Sequence, residues 1–186
     1  PGDVPDLFQV VQRLCLRSTG TRRARRDGSL LHQAKAVDGR KQLHFVKGDH
    51  VWSECWFLLK GGASAESVFL WDLESSTKWQ SPGRRVYLQK GDVIASDLGK
   101  WFSSSVFRQP PDRALRFPLE RWVRLRVHLF LSEKSDGVME VWQDDTKVIN
   151  THGQTLPTAK TIYDRLEVGL TANGSTEHSH TLYVDD

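Results

Sequence analysis

Residues Arg121 to Asp145, RWVRLRVHLFLSEKSDGVMEVWQDD, constrain the fold more than any other stretch of the chain. Val123, Leu125, Val127, Leu129 and Leu131 alternate with Arg124, Arg126, His128 and Phe130. A period of two marks a strand with one dry face and one open face. Ser132 to Gly137 then gathers Ser, Glu, Lys, Asp and a Gly able to take positive φ, and Val138 to Gln143 resumes as a strand that stops at Asp144-Asp145. The stretch is therefore expected to be a β-hairpin. On its open face two guanidiniums and an imidazole recur at every second residue, about 7 Å apart, a pitch that suits an extended polar ligand.

No long segment repeats apolar residues at i, i+3, i+4 and i+7, so helices are not expected. Leu43 with Phe45, Val51 to Leu59, Val68 to Leu73, Val86 to Gln89, Lys100 to Phe107, Lys147 to Asn150, Arg165 to Leu170 and Thr181 to Val184 read as further short strands, separated by turn formers such as Lys47-Gly48-Asp49 and Lys90-Gly91-Asp92. About ten to twelve short strands at close spacing predict an all-β fold, a two-sheet antiparallel sandwich or jelly roll. A length of 186 residues fits one domain over 1–186. Residues 1–40 carry the weakest pattern, with Ser18 to Gly28 (STGTRRARRDG) read as an exposed basic loop.

The net charge of +3 is too small to argue for nucleic acid, although Arg22, Arg23, Arg25 and Arg26 cluster, as do Arg84 and Arg85. Seven tryptophans are many for this length. Each offers a flat apolar face and one N–H donor, useful in a β core and for stacking on sugar rings. Cys15 and Cys55 form no metal-binding spacing, and a disulfide and two free thiols remain equally open. No apolar run is long enough to span a membrane, and the opening PGDVPDLF lacks a signal-peptide profile. The end at Leu182-Tyr183-Val184-Asp185-Asp186, in mid-strand, favours an excised domain over a mature chain.

The pattern RWVRLRVHLFLSEKSDGVMEVWQDDTKV, followed by RLEVGLTANGSTEHSHTLYVDD, resembles the C-terminal half of jelly-roll polysaccharide lyases and their concanavalin-like relatives. The shared features are a Trp opening a strand, a DG turn, a VEVW-D-type strand and a late LYVDD strand. They cover Glu120 to Asp186, with a fainter echo in LHFVKGDHVWSECWFLLK. The resemblance implies a concanavalin-like jelly roll and a carbohydrate partner. The short pattern Gln42-Leu43-His44 matches one alginate-lyase motif, but its companion motifs are missing.

Elimination across a uronic acid needs a group to neutralise the carboxylate, a base for the C5 proton and an acid for the leaving oxygen. Arg126 or Arg124 fits the first role and His128 the second, while Tyr87 shares a strand face with Gln89. Glycan contacts are expected from Arg124, Arg126, His128, Gln89, Glu140 and Trp142. Glu140 and Glu167 stand isolated in sequence, so no glycosidase acid pair is visible. No metal site is expected at His178 and His180, read as exposed loop histidines. No cofactor is implied. A structural Ca²⁺ held by some of Asp136, Asp144, Asp145, Asp185 and Asp186 competes with turn formation. Nucleophile elbows and phosphate loops are absent.

Three function classes follow. The first is a lectin-like module binding an anionic, uronate-type polysaccharide along a concave sheet. The second is an active lyase on the same polymer. The third is a structural or assembly protein. An extracellular or cell-surface location is expected.

Overall fold

The computed structural model describes residues 43–61, 65, 67–75, 83–90, 93–98, 106–173 and 180–185. Among the described residues ten strands build two antiparallel sheets: β1 (His50–Lys60), β2 (Val68–Glu74), β3 (Arg84–Gln89), β4 (Val93–Asp97), β5 (Phe107–Arg108), β6 (Trp122–Phe130), β7 (Val138–Gln143), β8 (Thr146–His152), β9 (Arg165–Asn173) and β10 (Thr181–Asp185). The first sheet runs β10-β1-β6-β7-β8 and the second β5-β4-β3-β2-β9. The expected all-β sandwich of jelly-roll type is what the chain forms. The only helical turn among the described residues is a 3-10 turn at Pro111–Arg113.

The hairpin forms as expected, with β6 and β7 paired from Leu125 opposite Gln143 to Phe130 opposite Val138. Val123, Leu125, Val127, Leu129 and Leu131 are buried, so the register puts the apolar set inside. β1 repeats the pattern on the other side of β6. Val51, Ser53, Cys55, Phe57 and Leu59 are buried, while His50, Trp52, Glu54, Trp56, Leu58 and Lys60 alternate with them towards the outside. From the second sheet Val68, Leu70, Trp71, Leu73, Val86, Leu88, Ile94, Leu166 and Val168 complete the core between the layers. A register shift between Phe69 and Trp71 marks a bulge, and Leu70 and Trp71 are consecutive buried residues. Beyond the bulge Asp72 and Glu74 resume the outward face. The indole N–H of Trp71 crosses the core to Ser53 Oγ at 3.1 Å, tying the two sheets together.

Several local expectations change. Gly137 does not take positive φ; its place is fixed because a Cβ there would meet Gly153 O at 2.3 Å. The positive φ in this region belongs to Asp144, at 55°, in the β7–β8 turn, a conformation that Asp tolerates. β4 was not expected. The strand anticipated over Lys100 to Phe107 lies mostly outside the described residues, with β5 at its end. Arg84 and Arg85 do not form a basic cluster, because neighbours on a strand point to opposite faces. Arg84 is fully buried, its guanidinium 3.9 Å from the centre of the Phe107 ring, and burial lowers its pKa to about 10. Arg85 faces out and pairs with Asp97. His180 is buried rather than exposed, packed where any side chain on Gly61 would strike its ring. Cys55 is in the core, while Cys15, the basic loop at 18–28, Gln42, His178 and Asp186 lie outside the described residues.

Candidate functional site

The open face of the hairpin widens into the outer face of the first sheet, where three strands lay side chains in rows. Trp56 on β1 stands opposite Arg124 on β6. Glu54, Arg126 and Trp142 form the next row across β1, β6 and β7, and Trp52, His128 and Glu140 the row after that. Four of the five tryptophans among the described residues (Trp52, Trp56, Trp122 and Trp142) point out of this sheet, and only Trp71 is in the core. Trp56 and Trp122 are 39% and 40% exposed, which is unusual for so large an apolar surface in a folded chain.

The charged groups on this face are held, not loose. Arg126 Nε donates to Glu54 Oε2 at 2.7 Å, and its guanidinium lies 5.7 Å from the Trp142 ring centre. Arg124 pairs with Asp145, whose side chain is 93% exposed, and lies 5.9 Å from the Trp56 ring centre. Both ion pairs sit at the surface, where such pairs contribute about 0–1 kcal/mol. An incoming carboxylate can therefore replace either acid at little cost. Both guanidiniums also lie within cation–π range of a tryptophan ring.

His128 is different. It is 8% exposed, and it is the middle member of a hydrogen-bonded line. Its Nδ1 is 2.6 Å from Glu140 Oε2, and its Nε2 is 2.9 Å from Nδ1 of His50. Trp52 stacks on the His128 ring at a centroid separation of 3.9 Å, and Trp142 stacks in turn on Trp52 at 5.9 Å. Burial pushes the His128 pKa below its ordinary value, against the pull of Glu140. Glu140 also bonds Lys147 Nζ at 2.6 Å. Burial alone would raise the Glu140 pKa, but the hydrogen bonds from Lys147 and His128 outweigh it and hold the carboxyl below the usual range.

The residues expected to act together fall on two faces. Arg124, Arg126, His128, Glu140 and Trp142 share the first sheet, whereas Tyr87 and Gln89 project from the outer face of the second sheet, across the core. His128 and Tyr87 therefore do not converge on one sugar. Around Tyr87 the second face carries Phe69, stacked on it at 5.0 Å, and Arg85, which grips Asp97 with two bonds of 2.8 and 3.1 Å. Beside them β2 and β9 bring Asp72 opposite Glu167 and Glu74 opposite Arg165. Glu167 is thus not isolated. Burial, then Glu74, raise the pKa of Glu167 and push that of Asp72 well above the carboxylate range. Burial also raises the phenol pKa of Tyr87.

Sequence reading missed the contribution of β1, namely His50, Trp52, Glu54 and Trp56, and that of Lys147. The alternation in HVWSECWF was visible, but which strand lies beside β6 is a long-range fact. Ser132 Oγ bonds Asp136 within its own turn, whereas Asp144, in the β7–β8 turn, reaches across to β6, where its Oδ1 accepts from Arg124 N at 3.0 Å. Among the described residues no group of three His, Cys, Asp or Glu side chains could hold a metal ion, and no helix is long and apolar enough to cross a membrane.

No family model matches the chain, and no curated protein matches it in sequence. Its fold is similar to that of solved structures. The endo-β-1,4-glucuronan lyase of the fungus Trichoderma reesei superposes with a TM-score of 0.53 at 12% identity, covering 82% of this chain and 76% of the lyase. The cellulose induced protein Cip1 superposes with a TM-score of 0.52 at 12% identity, covering 75% of this chain and 68% of that one. At this identity the likeness is one of architecture alone, a jelly-roll sandwich of the kind that the glucuronan lyase has.

Proposed function

We propose that this protein is a carbohydrate-binding module that holds an anionic, uronate-type polysaccharide across the outer face of the first sheet, in the extracellular or cell-surface setting where such polymers occur. The observation that carries this reading is the set of four outward tryptophans on one sheet face, two of them among the most exposed large apolar side chains of the described residues. A flat indole beside a guanidinium can stack on a sugar ring while the cation meets its acid group. Trp56 with Arg124 and Trp142 with Arg126 are two such couples, one row apart and on opposite sides of β6. The fold shared with a protein named a glucuronan lyase supports a glycan as the ligand class.

A second reading, elimination on the same polymer, is favoured by one observation. The carboxylate–histidine line of Glu140, His128 and His50 lies in the face that carries the arginines.

Tryptophan fluorescence titrations with a polyuronate, a sulfated polysaccharide and a neutral glucan test the binding reading. The polyuronate should bind most tightly, more weakly as salt rises, and binding should fall at least tenfold in Trp56→Ala and in Trp142→Ala. Equal binding to the neutral glucan overturns the anionic preference. No binding to any of the three overturns the module.

A further inference from the structure

The hydrogen-bonded line beneath the tryptophans has a direction. A carboxylate only accepts, so Glu140 takes the proton on His128 Nδ1, and a neutral His128 is left with a bare Nε2. That nitrogen, 2.9 Å from His50 Nδ1, accepts the proton carried there. The His50 and His128 rings are 5° from parallel with centroids 5.2 Å apart. That separation matches the 2.9 Å contact plus about 1.1–1.2 Å from each nitrogen to its ring centre, so the two imidazoles meet edge to edge along the line of the bond. Phe130 packs against the His50 ring at 4.9 Å and limits its rotation. The remaining nitrogen, His50 Nε2, keeps its lone pair at the exposed end of β1. A carboxylate that fixes one imidazole, which fixes the next, is the orienting logic of hydrolytic triads carried one ring further.

We infer that His50 is the catalytic base of this face, its Nε2 taking the C5 proton of a uronate held by Arg126, while His128 and Glu140 act as positioning residues. This rests on the glycan reading above and deepens its second form. It moves the base from His128, which is buried and bonded at both nitrogens, to a residue that sequence reading passed over. His50 stands opposite Phe130, two rows or about 13 Å of strand from Arg126, and its imidazole reaches back towards the row between them to meet His128. Catalysis at this base therefore requires the long Arg126 side chain and the sugar it holds to bridge the distance that is left. In the reaction the C5–H bond breaks to His50 Nε2, its electron pair forms the C4=C5 bond, and the C4–O bond breaks. The leaving oxygen takes a proton from the imidazolium just formed or from water. Neutralisation of the sugar carboxylate by Arg126 is what makes the C5 proton removable.

The test has arms with and without polymer. Without polymer, ¹⁵N chemical shifts should show His50 as the Nδ1–H tautomer with a bare Nε2. Diethyl pyrocarbonate should acylate His50 several-fold faster than the exposed His44, and Glu140→Gln should remove that advantage. With a polyuronate, wild type should produce the ultraviolet absorbance of unsaturated uronate ends. His50→Asn should bind the polymer as wild type does and produce none. An Nε2–H tautomer at His50, or product formation by His50→Asn, overturns the assignment. A bound polyuronate that wild type leaves uncut overturns the catalysis and spares the binding module. Failure of any polymer to bind overturns the glycan reading and this substrate with it, an outcome told apart because the tautomer and acylation are measured on the free protein.

Discussion

Replacing Ser53 by Ala removes one oxygen from the middle of the sandwich, and its effect measures how firmly the outer face of the first sheet is registered. Ser53 is 4% exposed and Trp71 1%. Their bond at 3.1 Å joins β1 of one sheet to β2 of the other, the two being paired with different neighbours throughout. In Ser53→Ala the indole N–H stays buried with no acceptor, which costs about 1–3 kcal/mol. No large cavity opens, since only the hydroxyl is lost. For a chain of this size each kcal/mol moves the melting temperature by about 2–4 °C, so a shift of roughly 4–8 °C is expected at the middle of that range. Urea unfolding of Trp71→Phe and of the double variant closes the cycle. With the donor already gone, Ser53→Ala should cost close to nothing, leaving a coupling on the order of 1–2 kcal/mol. A cost below about 0.5 kcal/mol in the wild-type background, or the same cost in both backgrounds, would refute the inter-sheet bond. It would also unseat the outward placement of Trp52 and Glu54, which flank Ser53 in the strand.

The hairpin was legible because its information is local. Strict alternation over Val123 to Leu131 fixes which side chains enter the core, and the structure places all five apolar residues inside, although on the opposite face His128 is covered by Trp52. The jelly-roll architecture followed from strand number and spacing, and from motifs that lie within one stretch of chain. What could not be read was pairing between distant segments. Asp72 and Glu167 are 95 residues apart (167 − 72) and stand opposite each other only because β2 lies beside β9. The same holds for His50, which meets His128 only once β1 lies beside β6. β4 was missed for a different reason. Its residues VIASD include a small Ala and a small Ser that are buried under close packing, and neither carries an apolar signal strong enough to mark a strand. The arginine pair at 84 and 85 shows the converse error, in which adjacency in sequence was taken for adjacency in space.

Val127→Ala, deleting two buried methyl-sized groups opposite Ser53 and Val141, should cost about 1–3 kcal/mol in urea unfolding; a cost near zero would mean that the site collapses or is not core. Arg126→Lys should weaken polyuronate binding nearly as much as Arg126→Ala, because a Lys point charge cannot reproduce a bidentate grip; retention of affinity in the Lys variant, read by calorimetry, would reduce Arg126 to a general charge. The Asp72 prediction turns on a sign. Its Oδ1 is sealed from water with no hydrogen-bond partner, and burial, then Glu74, hold its pKa well above 3.8. The folded protein thus favours the protonated acid, binding more protons than the unfolded chain once pH exceeds the ordinary carboxyl value. Stability from this group is fully present below about pH 3.8 and is lost as pH rises through the folded pKa. Asp72→Asn, which can never ionise, should therefore raise the melting temperature at pH 7, and the advantage should shrink to nothing near pH 3.5. The nearby cations do not reverse this, because Arg85 is already engaged by Asp97, and Arg165 by Glu74. A melting temperature that falls at pH 7, or a gain that is equal at both pH values, would show that the Asp72 carboxylate is stabilised rather than strained by the outer face of the second sheet.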